Sequence, residues 1–167
     1  MTIRVALAAG QVRVRQPALL AALWYIGTMV PMSQGRPGDH DDDATLVERF
    51  ERLALPPDDF GHREHVRVAF AMLRGADFGE AAVRYRAGLR RFAAAAGAAG
   101  KYHETLTWAF LAVINQRMAG HADADSAGFL ARNPDLLVGT EALGRYYDVA
   151  AIVASPFARR VFVLPGR

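Results

Sequence analysis

The sequence contains no cysteine, and this single absence excludes disulfide frameworks, thiolate metal sites, iron–sulfur clusters and cysteine nucleophiles. Any transition metal must then be held by His, Asp or Glu. Lysine is almost missing too, Lys101 being the sole one. The pI of about 9.7 therefore reports arginine in place of lysine, and a formal net charge of only +3 argues against nucleic acid as a partner. No apolar run reaches the roughly 20 residues that a membrane-spanning helix needs. Sustained strand alternation and internal repeats are also lacking, and 22% charged with 10% aromatic residues leaves no case for a disordered or fibrous chain.

What is present is ample apolar material. With 52% hydrophobic residues in 167, the chain can bury one core of ordinary size, so one domain is expected. The first part stands apart. Arg4, Arg13 and Arg15 precede an uncharged stretch, mainly apolar from Pro17 to Met32 and containing Trp24 and Tyr25. Three readings of it stand side by side. It is a leader or a start placed too far upstream, with Met32 the true beginning; a helix packed on the domain; or a membrane anchor or export segment. Apart from that segment nothing points to a membrane, and the expected location is cytoplasmic. A polar Gly/Pro/Asp linker closes this extension, which spans residues 1–43, and the helical domain is expected over 44–167.

Helical periodicity then dominates. Leu46, Phe50 and Leu53 share one face before Pro56 and Pro57. A second helix is expected from Gly61 or His62 to Arg74, with Val66, Ala69, Phe70 and Leu73 inward. A third, from Phe78 to Ala96, carries Phe78, Ala82, Tyr85, Leu89, Phe92 and Ala96 at spacings of four and three. A fourth, from Tyr102 to Met118, turns Leu106, Phe110, Val113 and Ile114 inward. The tail reads as short helices with Ser126, Thr140 and Ser155 as N-caps, and with Val149–Val153 and Val161–Leu164 as its only strand-like stretches. The expected fold is an all-α, compact multi-helix bundle with short irregular C-terminal helices.

Extending the apolar stripes backwards reaches histidines. Four residues before Val66 and Ala69 lie His62 and His65, and on the fourth helix the stripe through Phe110 and Thr107 reaches His103. Imidazoles three apart on a helix stand close enough to meet one ion at about 2 Å, and a third from a neighbouring helix completes an open site. His62, His65 and His103 are accordingly the expected ligands of a divalent transition metal, Zn, Fe or Cu. Thr107, one turn after His103, is placed to fix a ring tautomer. Glu104 and Tyr102 are the candidate proton-transfer residues, although Glu104 projects about 100° away from His103. The structural alternatives are a helix-start acid for Glu104, a cap at Gly61 for Glu64, core hydrogen bonds for the histidines, and dipole-stabilising acids for Asp41, Asp42 and Asp43 beside His40.

Four segments in order carry a resemblance: Phe60-x-His62-x-x-His65-Val66-Arg67, Tyr102-His103-Glu104-Thr105-x-Thr107, Asn133-Pro134-x-Leu136, and Ser155-x-x-Ala158-Arg159-x-x-Phe162-Val163. Over about Leu46 to Pro165 the chain resembles a group of small bacterial all-helical proteins of unknown function. The resemblance implies that His62, His65, Tyr102, His103 and Thr107 form one site, and brings no activity with it. Two functions follow as expectations. One is a small metalloenzyme activating water or oxygen on a small-molecule substrate, hydrolysis being the less demanding. The other is a non-enzymatic module that binds a small ligand or a protein, with structural histidines.

Overall fold

Short polar caps start most of the helices. The computed structural model describes residues 41–166, and the readings that fall on the N-terminal extension, including His40, lie outside the described residues. Asp42 accepts the Thr45 N–H at 2.7 Å and opens α1 (Asp43–Glu51). Glu64 accepts the Gly61 N–H at 3.1 Å at the start of α2 (His62–Gly75), as its spacing suggested. Asp77 caps α3 (Phe78–Ala95) and His103 caps α4 (Glu104–Met118). Each such cap satisfies one of the four N–H groups that a helix start leaves without an internal partner.

The tail is built from shorter pieces. α5 (Ser126–Arg132) takes Asp125 as its N-cap, so Ser126 is its first residue rather than its cap. α6 (Val149–Ala154), capped by Asp148, replaces the strand suggested by its β-branched residues. α7 (Pro156–Arg160) opens as its sequence indicates, with Ser155 Oγ accepting the Ala158 N–H at 3.1 Å and proline at the first position. Thr140 precedes a 3₁₀ turn without capping it by its side chain. Among the described residues there are seven α-helices and no strand, and the fold is an all-α single domain. No described helix is long and apolar enough to cross a membrane.

The apolar stripes meet where α1 to α4 pack together. Phe50, Phe60, Phe70, Phe129, Leu106, Leu111, Leu136 and Leu143 are fully buried. Phe50 stacks on Phe60 at 5.1 Å between centroids and lies 6.2 Å from Phe92. Gly88 of α3 makes room for this column. A Cβ at position 88 would sit 2.4 Å from Phe50 Cε1 and 2.7 Å from Cζ, closer than atoms can approach, and the ring has no free space to retreat into. Gly88→Ala therefore costs about 1–3 kcal/mol of overpacking, against a gain of about 1 kcal/mol in helix propensity. A net loss in urea unfolding is expected, and a more stable variant would show the contact to be soft.

Charged residues fasten the periphery. Arg67 of α2 is buried, at 7% exposure. Its Nη2 donates to the Asp41 carbonyl at 2.7 Å and lies 3.5 Å from the Asp43 carboxylate, while Nε donates to Ser126 Oγ at 3.2 Å. Asp43 also accepts the Ser126 N–H at 2.7 Å and its hydroxyl. The starts of α1 and α5 are thus both tied to α2. Asp41 pairs with Arg49 and Asp42 caps α1, so each of the three successive acids has a structural task.

Candidate functional site

Three helices contribute to the site. α2 brings His62, His65 and Val66, α3 brings Tyr85 and Leu89, and α4 brings Thr107, Phe110 and Ile114, together lining a cavity of about 40 Å³ that opens to the surface. His62 and His65 are at the first and fourth positions of α2, so helical spacing places both on its inner face. Thr107 lines the same cavity as these two.

Hydrogen bonds assign the rings. His62 Nε2 stands 2.8 Å from the Leu136 carbonyl; a carbonyl only accepts, so Nε2 carries the proton and Nδ1 the lone pair. No buried side-chain nitrogen or oxygen among the described residues lacks a partner, so Nδ1, which bonds to no described group, is reachable from outside. His65 packs on Phe60 at 4.2 Å between centroids, and its carbonyl accepts the Tyr85 hydroxyl at 3.1 Å. Desolvation pushes its imidazole down to about 3, with His62 adding a smaller effect in the same direction. Burial also lowers His62, opposed by the bond to Leu136. Both rings are neutral near pH 7.

His103 belongs to a different construction. It is 1% exposed and caps α4, where its Nδ1 accepts the Leu106 N–H at 3.4 Å and its Nε2 donates to the Ile152 carbonyl at 3.1 Å. Both ring nitrogens are therefore committed to backbone. Thr107 donates to the His103 carbonyl at 2.9 Å rather than to a ring. Among the described residues no three His, Asp or Glu side chains come together as a metal site requires. The expected centre of His62, His65 and His103 is not assembled, because the ring of His103 turns to α6 instead of to the pocket.

Glu104 is equally committed. Its Oε1 accepts from Arg86 Nε at 2.7 Å and Trp108 Nε1 at 2.9 Å, and its Oε2 from the Tyr102 hydroxyl at 2.8 Å. Burial by itself raises the carboxyl, but the bonds from Arg86, Trp108 and Tyr102 outweigh it and hold the group below the usual carboxylate range. Burial and then the Glu104 carboxylate raise Tyr102, and Arg90 lies over its ring at 5.7 Å. An ionised acid with three donors and a phenol kept protonated are a latch, not a free base and its acid. Neither borders the cavity, nor do Trp108, Tyr146 and Tyr147.

The segments Phe60–Arg67, Tyr102–Thr107, Asn133–Leu136 and Ser155–Val163 work in two pairs. Thr105 Oγ1 donates towards the Ala158 and Val161 carbonyls at 2.7 and 2.8 Å and accepts the Val163 N–H at 3.1 Å. Arg159 reaches back to the carbonyls of Gly100 and Tyr102. With His103 on Ile152, the Tyr102–Thr107 segment is the dock for the Ser155–Val163 segment. In the same way His62 holds Leu136 of the Asn133–Leu136 turn, which Arg117 clamps through Asp135 at 2.5 and 2.6 Å.

Comparison with protein-family models, curated proteins and solved structures finds no match in any of the three. The site is therefore read from its own geometry. Thr105→Val keeps the shape and strands two carbonyls and one N–H, so a loss of about 2–3 kcal/mol in urea unfolding is expected. An unchanged midpoint would mean that the tail does not need its dock. Arg86, the principal partner of Glu104, escaped the sequence reading because nothing in one helix reports a contact made by its neighbour.

Proposed function

We propose that this chain is a small-ligand-binding helical module, with His62 and His65 in its pocket and His103 and Glu104 as structural fastenings. The observation that carries this is the open cavity between α2, α3 and α4, whose described lining is apolar except for two neutral imidazoles, one threonine and the Tyr85 phenol, the last donating to the His65 carbonyl. Pockets of this make-up, mostly apolar with a few placed polar groups, are the usual form of small-molecule sites. The commitment of both His103 nitrogens and of all the Glu104 bonds favours binding over metal-assisted hydrolysis or oxygen chemistry. Nor does charge favour nucleic acid, since the formal net charge is only +3.

One observation favours the metalloenzyme reading, namely the pairing of His62 and His65 on one pocket with a lone pair open on His62. Elemental analysis of tag-free protein separates the two. Substoichiometric metal, with small molecules that shift the pocket resonances, is the expected result. Stoichiometric Zn, Fe or Cu that is lost in His62→Ala would replace the binding module with a metal centre.

A further inference from the structure

The cavity also constrains what enters it. A buried anion needs a cationic partner and a buried cation an acidic one. Among the described residues the walls offer neither: Val66, Leu89, Phe110 and Ile114 are apolar, and no described Asp, Glu, Lys or Arg lines the space. His62 and His65 are neutral.

Polar selection rests on His62. Its Nε2–H is held by the Leu136 carbonyl at 2.8 Å, so the ring cannot exchange tautomers without losing that bond, and Nδ1 stays an acceptor. The 5.4 Å edge-on contact with Phe110 further fixes the ring plane. An acceptor locked in this way discriminates by donor, since a group without a hydrogen to give leaves it unpaired. Size adds a limit. One water occupies about 10–15 Å³ on this measure, so 40 Å³ accommodates about three or four heavy atoms, with the rest of a longer molecule leaving through the opening.

We infer that the ligand is a neutral molecule that inserts a short apolar segment of about three or four heavy atoms and donates one hydroxyl or N–H to His62 Nδ1. This is the class of short-chain alcohols and neutral amides, or of larger molecules ending in such a group. The inference rests on the binding-module reading, and its test keeps the two apart.

Propan-1-ol, methyl propyl ether, propionate and propylammonium are titrated separately into the full chain at pH 7.5. Histidine ring and methyl resonances assigned to the pocket are followed by NMR. Propan-1-ol is expected to bind saturably and to move the His62 Nδ1 resonance. The ether, which keeps the propyl group and carries a methyl in place of the donor hydrogen, is expected to bind at least about tenfold more weakly, as the loss of one hydrogen bond implies. Both ions should bind more weakly still. Ether equal to alcohol, or propionate or propylammonium ahead of it, overturns the proposed ligand class while leaving the pocket a binding site. No response from any of the four overturns both. A Leu89→Phe variant, which fills the cavity while keeping both histidines in the sequence, should abolish the propan-1-ol shifts, and their persistence would place the binding elsewhere and sink the inference.

Discussion

Phe60→Ala is expected to remove about 3–5 kcal/mol of unfolding free energy. Phe60 is fully buried, and its ring stands 5.1 Å from Phe50, 4.6 Å from Phe92 and 4.2 Å from His65. Phe60 thereby joins the aromatic column of α1 and α3 to a pocket histidine. Truncating it deletes the buried surface and leaves a void that stacked neighbours fill poorly, which is why the large-to-small penalty exceeds simple transfer. Set against a domain stability of about 5–15 kcal/mol, the loss is about a fifth or more of the total. The control is Phe157→Ala, whose ring is 59% exposed and whose loss should stay within about 0.5 kcal/mol. Urea unfolding of both variants checks the contrast. The same void adjoins His65, so benzene should raise the midpoint of Phe60→Ala and leave the unmodified protein unchanged. If Phe60→Ala lost less than about 1 kcal/mol, the aromatic column would not be the support of the pocket.

How far this architecture was legible in the sequence depends on where each residue sits relative to its helix. The stripes through Val66 and Ala69 reach His62 and His65 correctly because α2 begins at His62, so both lie within the regular 3.6-residue period. The same extrapolation fails for His103. That residue is the N-cap of α4, with φ −139° and ψ 109°, and the period does not extend into extended backbone. Its ring therefore points to α6 instead of along the stripe. Thr107, four residues inside α4, was placed correctly on the pocket side, but its hydroxyl bonds the carbonyl one turn back, a local alternative that helical threonines often take. Arg67 was unreadable for another reason. Its partners Asp43 and Ser126 come from segments that only the folded chain brings together, and an arginine in a stripe otherwise looks like a solvated one.

The ordered set of four segments illustrates the difference between recognising a pattern and reading its purpose. Taken together they suggested one site. In the fold, Tyr102–Thr107 receives Ser155–Val163, and His62 secures the Asn133–Leu136 turn, so much of the pattern records how the short C-terminal helices are attached to the bundle. Short helices such as α6 and α7 bury too little to hold themselves, and fixed hydrogen bonds from the longer helices replace packing there. Of these segments, His62, His65, Val66 and Thr107 line the cavity between α2, α3 and α4. That division also explains the strand-like signal of Val149–Val153, where the β-branched residues face the bundle while Asp148 and the intervening alanines supply a cap and good helix propensity.

Stability is expected to fall steeply on the acid side of neutrality. The sign follows from the histidines. His65 is lowered from 6.5 to about 3, and His62 and His103 are lowered as well, in each case chiefly because burial penalises the imidazolium. For a group whose folded value lies below its unfolded one, the unfolded chain takes up the proton first, so stability decreases as pH falls below about 6.5 and levels only under the folded value. Each such proton contributes about 1.4 kcal/mol per pH unit. His65 alone removes roughly 2–3 kcal/mol between about pH 6.5 and 4.5, and His62 and His103 steepen the upper part of that fall. Glu104 and Asp135, held low by Arg86 and Arg117, act in the same direction at lower pH, since their stabilisation is present above the ordinary carboxylate value and is lost as they protonate. Urea unfolding at steps from pH 8 to 4 should give a plateau above 7 followed by a slope of more than one proton. In His65→Phe the slope between about pH 6.5 and 4.5 should drop by close to one proton whatever the change in absolute stability. A profile that is flat down to pH 5 would mean that these imidazoles accept their protons in the folded chain, and the uncharged pocket on which the ligand assignment depends would be lost with them.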